Sequence, residues 1–250
     1  MDTTLRFSNR VDNYVKYRPT YPAEMLETLK ADCQLTHDSP IADIGSGTGI
    51  LTRLFLQNGN PVFGVEPNRE MREAGERLLQ DFRYFQSVAG TAEATTLPDQ
   101  SVDFVTAGQA FHWFDRVRAK AEFSRILRPQ GWVMFVWNDR QTSSPFLQDY
   151  EQLLRTYATD YEVVNHQEID HQAFEDFFAP HGYRTKALAN HQDFDFEGVK
   201  GRLLSSSYAP EAGHPNHEPM LAALKQIFQV HQRDGMVRFE YLTTMYYGRL

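Results

Sequence analysis

The stretch IADIGSGTGILTRLF, residues 41–55, decides the fold of this chain. Apolar residues around Asp43 are typical of a short buried strand, and three glycines follow at alternating positions, Gly45, Gly47 and Gly49. The residues after the glycines place apolar side chains at helical spacing. Glycine tolerates positive φ and close approach of the backbone, and the N-terminus of a helix offers unpaired N–H groups. The stretch therefore predicts a strand, a ligand-binding loop and a helix.

The composition argues against several classes of function. The 250 residues carry a formal net charge of -8, whereas a nucleic-acid partner is usually met by a basic face. The one cysteine, Cys33, cannot form an internal disulfide. The start of the chain lacks the apolar segment of a signal peptide, and no run approaches the roughly 18 apolar residues of a membrane helix. We expect a cytoplasmic protein whose partners are neither nucleic acids nor membranes.

Strand-like and helix-like patterns alternate along the chain. This alternation predicts an α/β fold with a mostly parallel sheet and right-handed crossovers. Ligands of such a sheet bind beyond the carboxyl ends of its strands. The predicted strands are 41–45, 61–67, 83–90, 101–111, 132–139, 186–196 and 236–250. The predicted helices are 50–59, 68–79, 115–131, 145–161, 171–183, 197–208 and 218–235.

We interpret residues 1–250 as a single domain, because no repeat or low-complexity linker divides the chain. Within this domain we expect an N-terminal helical segment at residues 1–35. A second helical region, residues 143–180, is expected as an insertion that lies over the active site.

An acidic residue at the end of the second predicted strand indicates a ribose-bearing cofactor. Glu66 follows the glycine loop, and a carboxylate there can accept hydrogen bonds from both ribose hydroxyls. A dinucleotide-binding loop has the pattern G-x-G-x-x-G/A, whose last position is occupied here by Ile50. The spacing G-x-G-x-G after a strand that contains an acid fits IADIGSGTG at every position.

Four successive motifs resemble those of class I S-adenosylmethionine-dependent methyltransferases. They are IADIGSGTG, VFGVEPNREM, GTAEATTLPDQSVDFVTAGQAFHWFD and RILRPQGWVMFVWN. The chain is most similar to the small-molecule branch known as the type 11 methyltransferase domain family, in the neighbourhood of the trans-aconitate methyltransferases. YVKYRPTYP, residues 14–22, resembles the N-terminal segment of that branch. The resemblance implies a Rossmann-like, seven-stranded sheet, S-adenosylmethionine as cofactor and S-adenosylhomocysteine as product.

The resemblance also implies a role for individual residues at the cofactor site. Glu66 would bind the ribose, and Pro67 and Met71 would border the adenine. Arg18 would meet the cofactor carboxylate. Thr91 stands where the family commonly has an Asp on the adenine amino group, and Thr is a weaker, neutral acceptor. The full predicted cofactor set is Tyr14, Arg18, Asp43, Gly45, Ser46, Gly47, Gly49, Glu66, Pro67, Met71, Thr91, Ala92 and Gln109.

The aromatic segment QAFHWFD, residues 109–115, lies just past the fourth predicted strand, near the expected position of the transferable methyl group. Methyl transfer from a sulfonium depends on alignment and on exclusion of water, and aromatic faces can shelter the cation. His112 is the candidate general base if the acceptor is a hydroxyl, because its ordinary pKa is near 6.5; an orienting role is the alternative. Trp113, Trp137 and Asn138 are candidate substrate contacts. No metal site is predicted, because His214 and His217 lack a third ligand.

The sequence predicts methylation of a small molecule, with an oxygen of a carboxylate or hydroxyl as the acceptor. Three alternatives stay open. One is a non-catalytic protein that binds S-adenosylmethionine, another is a transferase that uses a related cofactor, and the third is a nicotinamide-dependent oxidoreductase. Ile50 argues against the third.

Overall fold

The computed structural model describes residues 16–159, 161, 171–206 and 208–250. The strands are β1 (Ile41–Ile44), β2 (Val62–Val65), β3 (Phe85–Val88), β4 (Val102–Gly108), β5 (Leu127–Arg140), β6 (Tyr183–Phe194) and β7 (Val237–Gly248). The helices are α1 (Glu24–Cys33), α2 (Ile50–Gln57), α3 (Arg69–Leu79), α4 (Arg116–Ile126), α5 (Pro145–Tyr157), α6 (His171–Phe178), α7 (Phe196–Leu204) and α8 (His217–His231). A 3₁₀ turn spans Phe111–Trp113.

The strands form one seven-stranded sheet in the order β3-β2-β1-β4-β5-β7-β6. The first five strands pair in parallel, and β7 runs antiparallel to both of its neighbours. Strand β1 lies at the centre and is buried along its whole length, because helices cover both faces of the sheet. The predicted Rossmann-like, mostly parallel sheet is confirmed.

Two apolar layers cover the faces of the sheet. On one face α1 and α2 contribute Met25, Leu29, Leu51 and Phe55, all buried. On the other face α4 and α6 contribute Ala119, Phe123, Phe174 and Phe177, also buried. The alternation of side chains along β5 serves both layers, since Phe135 faces α6 and its neighbours Met134 and Val136 face the opposite layer.

A third apolar cluster joins α5, α7 and α8 to the outer end of β7. Phe239 of β7 lies at its centre, with its ring centroid 5.2 Å from that of Phe146 and 4.9 Å from that of Tyr150. The two described helices within the predicted insertion at 143–180 therefore belong to different layers. Helix α5 belongs to this extra helical layer, whereas α6 covers the sheet itself. No helix in the described part of the chain combines the length and the apolar character needed to cross a bilayer.

The predicted boundary between the fourth helix and the fifth strand is wrong. The helix expected at 115–131 ends at Ile126, and β5 begins at the next residue. Leu127 already pairs with Val102 of β4, and the register shifts before Phe104 pairs with Trp132. The intervening residues, which include Pro129, form an irregular strand start rather than a helical turn, because backbone pairing with β4 stabilises the extended chain.

Candidate functional site

The glycine loop between β1 and α2 has a backbone that only glycine adopts readily. Gly45, Gly47 and Gly49 have φ angles of 66°, 57° and 84°. The Gly45 N–H donates to the Val65 carbonyl at 2.8 Å, which ties the loop to the end of β2. A Cβ on Gly45 would lie 2.9 Å from the Ala110 Cβ. At Gly45 the loop therefore approaches the end of β4 with no room for a side chain.

Two residues of the loop, Ser46 and Gly49, lie outside the cavity lining. Gly49 is the N-terminal capping residue of α2, and a Cβ there would lie 2.5 Å from Leu79 Cδ1. The Ser46 hydroxyl lies toward Gly64, 3.2 Å from where a Cβ on that residue would be. Neither residue lines the candidate cavity described below, because Gly49 packs on α3 and the Ser46 side chain turns toward β2.

Glu66 lies at the end of β2 and orients its carboxylate with backbone hydrogen bonds. Oε2 accepts from the Gly47 N–H at 2.8 Å, and Oε1 accepts from the Asn68 N–H, also at 2.8 Å. Burial raises the pKa of Glu66, and these two hydrogen bonds oppose that shift. Each carboxylate oxygen has two lone pairs, so each keeps one for a ligand hydroxyl.

Asp43 lies beneath the cavity and does not line it. It is 1% exposed, its Oδ2 accepts from Thr52 Oγ1 at 2.6 Å, and its Oδ1 accepts from Thr106 Oγ1 at 3.2 Å. These bonds join β1 to α2 and to β4. Burial raises the pKa of Asp43 to about 7, against the lowering effect of the two threonines. Asp43 therefore holds the start of the glycine loop in place through α2 and β4.

A cavity of about 260 Å³ opens at the carboxyl ends of β1, β2 and β4. Its lining combines predicted cofactor residues from three separate motifs with one predicted substrate contact, Trp113. The predicted residues that line it are Gly45, Gly47, Glu66, Pro67, Met71, Thr91, Ala92, Gln109 and Trp113. The sequence motifs therefore converge on one concave site at the edge of the sheet where open α/β sheets bind ligands.

Sequence reasoning did not assign Asn68, Glu93 or Gly108 to the site, yet all three line the cavity. The Asn68 side chain caps α3 by accepting from the Met71 N–H at 2.9 Å. Gly108 ends β4 beneath the N-terminal segment, and a Cβ there would lie 2.4 Å from the Tyr21 hydroxyl. Each of the three lies next to a strand end or in the GTAE motif. That position in the sequence could have identified them as lining residues.

The 3₁₀ turn after β4 gives its aromatic residues different environments. Phe111 is buried and stacks on Phe174 of α6 with a centroid distance of 5.0 Å. Trp113 is 40% exposed and lines the cavity together with Phe114. His112 is half-buried with its ring 4.5 Å from that of Trp113, and it lies next to the cavity lining rather than in it. Its role as a base stays a prediction.

Trp137 and Asn138, the two substrate contacts predicted on β5, lie outside the cavity. Strand β5 continues to Arg140, so Trp137 keeps the alternation of Phe135 and packs against Phe174 and Tyr246 at 5.5 and 6.0 Å. Asn138 is buried, and its side chain donates to the Thr20 carbonyl at 3.3 Å. Neither lines this cavity, because Trp137 completes the core and Asn138 holds the N-terminal segment.

The N-terminal contacts predicted for the cofactor are only partly described. Tyr14 lies outside the described residues. Arg18 donates from Nη2 to the Ser205 carbonyl at 3.2 Å, at the end of α7, and it does not line the cavity. This position is explained by the packing of the segment on α7, where the Tyr17 ring occupies the space beside Gly201.

A larger cavity, of about 700 Å³, lies at the opposite edge of the sheet. It is lined by residues at the starts of β4, β5 and β6 and at the end of β7, among them Gln100, Gly131, Tyr183 and Gly248. The glycine loop and Glu66 are absent from it, so the smaller cavity remains the candidate site. In the described ranges no group of three His, Cys, Asp or Glu side chains is placed to hold a metal ion.

Comparison with known proteins finds similarity to methyltransferases. Residues 42–135 match the profile of the methyltransferase domain. An uncharacterized methyltransferase of Mycobacterium tuberculosis is 39% identical over 141 residues, which are 56% of this chain and 54% of that protein. An uncharacterized methyltransferase of Schizosaccharomyces pombe is 34% identical over 149 residues, 59% of this chain and 58% of that protein. The matched region thus spans little more than half the length of these curated relatives.

Solved structures show the same fold over nearly the whole chain. A candidate type II methyltransferase from Anaeromyxobacter dehalogenans superposes with a TM-score of 0.69 at 21% identity, covering 93% of this chain and 98% of that one. A candidate methyltransferase of an antibiotic biosynthesis pathway from Anabaena variabilis gives 0.63 at 20% identity, with coverage of 94% and 99%. At this level of sequence identity, the similarity shows a shared fold.

Proposed function

We propose that the chain, whose residues 42–135 match a methyltransferase domain, is a class I S-adenosylmethionine-dependent methyltransferase of a small-molecule acceptor. The acceptor atom in this proposal is an oxygen, in a carboxylate or a hydroxyl. One observation carries the proposal: the glycine loop and an oriented, buried carboxylate, Glu66, face the same cavity.

The residues of the cavity fit S-adenosylmethionine. Gly47 has space for a ligand beside its Cα, since a Cβ there would meet only the Met71 Cε, at 3.4 Å. Glu66 retains acceptor capacity for two ribose hydroxyls after its two backbone bonds. Pro67 and Met71 provide apolar surface for an adenine, and Thr91 provides a neutral polar edge. Together these residues form a site that suits a nucleoside with a positively charged group.

Bound S-adenosylmethionine supplies an electrophilic methyl group on a positively charged sulfur. The chain's own residues align the reactants and exclude water, the main requirements of such a transfer. Trp113 and Phe114 also line the cavity and offer aromatic faces to a cation. His112, next to Trp113, is the candidate to take the proton of a hydroxyl acceptor. A carboxylate acceptor needs no base.

A small acceptor is favoured by the size and surroundings of the site. The cavity of about 260 Å³ is partly enclosed by apolar residues. The chain has a formal net charge of -8, which disfavours a polyanionic nucleic acid at this site.

The test is transfer of a deuterated methyl group from S-adenosylmethionine to a panel of phenols, alcohols, carboxylic acids, amines and thiols, followed by mass spectrometry. We expect labelled methyl esters or methyl ethers and an equal amount of S-adenosylhomocysteine. Labelled amines or thioethers alone would overturn the oxygen acceptor. Binding of the cofactor without transfer to any class would favour the non-catalytic alternative, for which the Thr91 departure is the motivating observation.

A further inference from the structure

The large cavity at the amino ends of β4 and β5, hereafter the arginine cavity, is lined by Arg128, Arg184 and Arg249. Its volume of about 700 Å³ lies within the roughly 300–1,000 Å³ that is typical of small-molecule sites. The chain as a whole has a formal net charge of -8, so three arginines around one cavity concentrate positive charge on an acidic protein. A cavity with this local charge suits an anionic ligand.

The register of the sheet places two of these arginines side by side. Arg184 of β6 lies directly opposite Tyr247 of β7. Arg249 follows Tyr247 by two residues, so its side chain lies on the same face as those of Tyr247 and Arg184. The Arg249 guanidinium lies 4.6 Å from the centroid of the Trp132 ring, which is 6.5 Å from that of Tyr247. Diagonal neighbours across an antiparallel pair are about 7–8 Å apart, so one anion can reach both arginines.

The positive charge of these two arginines is only partly balanced. Arg184 Nη1 lies 3.9 Å from Asp32 Oδ2, and the same oxygen accepts from Tyr247 Oη at 2.6 Å. Arg249 donates instead to the neutral side chain of Gln130, and in the described ranges no carboxylate lies within ion-pairing distance of it. Two arginines and one carboxylate therefore leave one positive charge in excess.

Arg128 adds further hydrogen-bond donors to the arginine cavity. Its Nη1 donates to Asp103 Oδ1 and its Nε to the Gln100 carbonyl, both at 3.3 Å. A guanidinium has five N–H donors, so Arg128 keeps donors for a ligand. Gln130 and His181 also line the cavity and add neutral polar groups. The polar part of the lining is therefore rich in groups that can donate to an anion.

A phosphate group is the anion that these side chains fit best. The guanidinium fork matches the oxygens of a phosphate bidentately. A phosphate ester carries a charge of about −1.5 to −2 at pH 7 and three strong acceptor oxygens, so it can accept from Arg184 and Arg249 together. A carboxylate has only two oxygens. Asp32 opposes any anion at this position, which favours a ligand that engages more than one arginine.

Apolar and aromatic side chains complete the lining of the arginine cavity. They include Leu127, Trp132, Tyr183 and Leu250, and the rings of Trp132 and Tyr183 are half-buried. A cavity of this size, with apolar walls and a few charged groups, is typical of a site for an organic molecule rather than for a single ion. The ligand therefore has an organic part as well as a phosphate group.

We propose that the arginine cavity binds a small organic phosphate, with the phosphate group held by Arg184 and Arg249 and the organic part against the apolar lining. The arginine cavity shares no lining residue with the glycine-loop cavity and lies at the opposite edge of the sheet. The site is thus separate from the proposed cofactor site, and the inference does not depend on the proposed function.

The test is calorimetric titration of the full chain with inorganic phosphate, glycerol phosphate, phenyl phosphate, uridine monophosphate and guanosine monophosphate. Glycerol, phenol, uridine and guanosine are the unphosphorylated counterparts. Adenine compounds are left out because they resemble the cofactor proposed for the other cavity. We expect at least one ester to bind tenfold or more tightly than both its unphosphorylated counterpart and inorganic phosphate.

Substitutions in the lining test whether the ester binds in the arginine cavity. Arg184→Met and Arg249→Met should each lower the affinity for that ester at least tenfold. Asp32→Asn should raise the affinity at least threefold, because it removes a negative charge 3.9 Å from Arg184. The matched control, Arg233→Met, removes an exposed arginine outside the cavity lining and should leave the affinity unchanged.

Thermal unfolding of the same variants separates ligand binding from a structural role. The Arg184 side chain is 63% exposed and Arg249 is exposed, so both substitutions should leave the midpoint of the free protein unchanged and reduce the rise that the ester causes. The inference is overturned if no ester binds more tightly than its counterpart or if inorganic phosphate binds as tightly as every ester. It is also overturned if the two arginine variants bind the ester as the wild type does, or if Asp32→Asn weakens binding.

Discussion

Replacing Glu66 by Gln probes the residue on which the cofactor assignment depends. In the wild type both carboxylate oxygens accept backbone hydrogen bonds, from Gly47 and from Asn68, at 2.8 Å. A glutamine keeps one acceptor oxygen and places an NH₂ group opposite the other backbone donor. It also removes the negative charge from the expected ribose site.

The magnitude follows from these contacts. Hydrogen bonds to charged groups contribute about 1.5–3 kcal/mol, which corresponds to roughly 10- to 150-fold in affinity. We expect Glu66→Gln to weaken S-adenosylhomocysteine binding by that factor. The loss of one backbone acceptor should also lower the free energy of unfolding by about 1–2 kcal/mol.

Calorimetry measures the affinity, and urea unfolding measures the stability. Glu70→Gln is the matched control, because Glu70 is an exposed carboxylate on the first turn of α3. The control should retain wild-type affinity and stability. If Glu66→Gln binds S-adenosylhomocysteine within threefold of wild type, the ribose assignment is wrong.

Three further predictions concern the loop, the pH dependence and the base. Gly49→Ala should lower the free energy of unfolding by about 2–4 kcal/mol in urea, because it combines φ of 84° with a 2.5 Å approach to Leu79; a loss below 0.5 kcal/mol would contradict the strain. Burial raises the pKa of Asp43 to about 7, so its folded form binds the proton more tightly than the unfolded chain does. The stability contributed by the protonated Asp43 carboxyl is therefore full below about pH 4 and is lost as the pH rises toward 7. The free energy of unfolding should fall by at most about 1.4 kcal/mol per pH unit in this range. Asp43→Asn should remove this slope in unfolding curves measured from pH 4.5 to 7.5. His112→Ala should slow methylation of a hydroxyl by about 10²-fold with little change in cofactor affinity, and full activity across the pH range would exclude a base role.

The sequence predicted the sheet because local patterns encode it. Each parallel strand is a short apolar run followed by a loop and an amphipathic helix, as in β1 and α2. The boundary between α4 and β5 was missed because Leu127 suits a helix locally and is fixed in a strand only by pairing with Val102. Backbone pairing with a distant strand has no signature in the local sequence.

Much of the cavity lining could be predicted for the same reason. Its residues follow strand ends, where the fold brings separate motifs to one edge. Trp137 also follows that rule, but β5 is longer than its apolar run, so side-chain alternation directs Trp137 into the core.

The most direct test of the central claim is a parallel calorimetric titration of the purified protein with S-adenosylmethionine, S-adenosylhomocysteine and NADH, after mass spectrometry has checked for retained ligand. The account predicts micromolar binding of both sulfur compounds and no binding of NADH. Binding of NADH alone, or of none of the three to protein free of ligand, would contradict a methyltransferase cofactor at the glycine loop and Glu66.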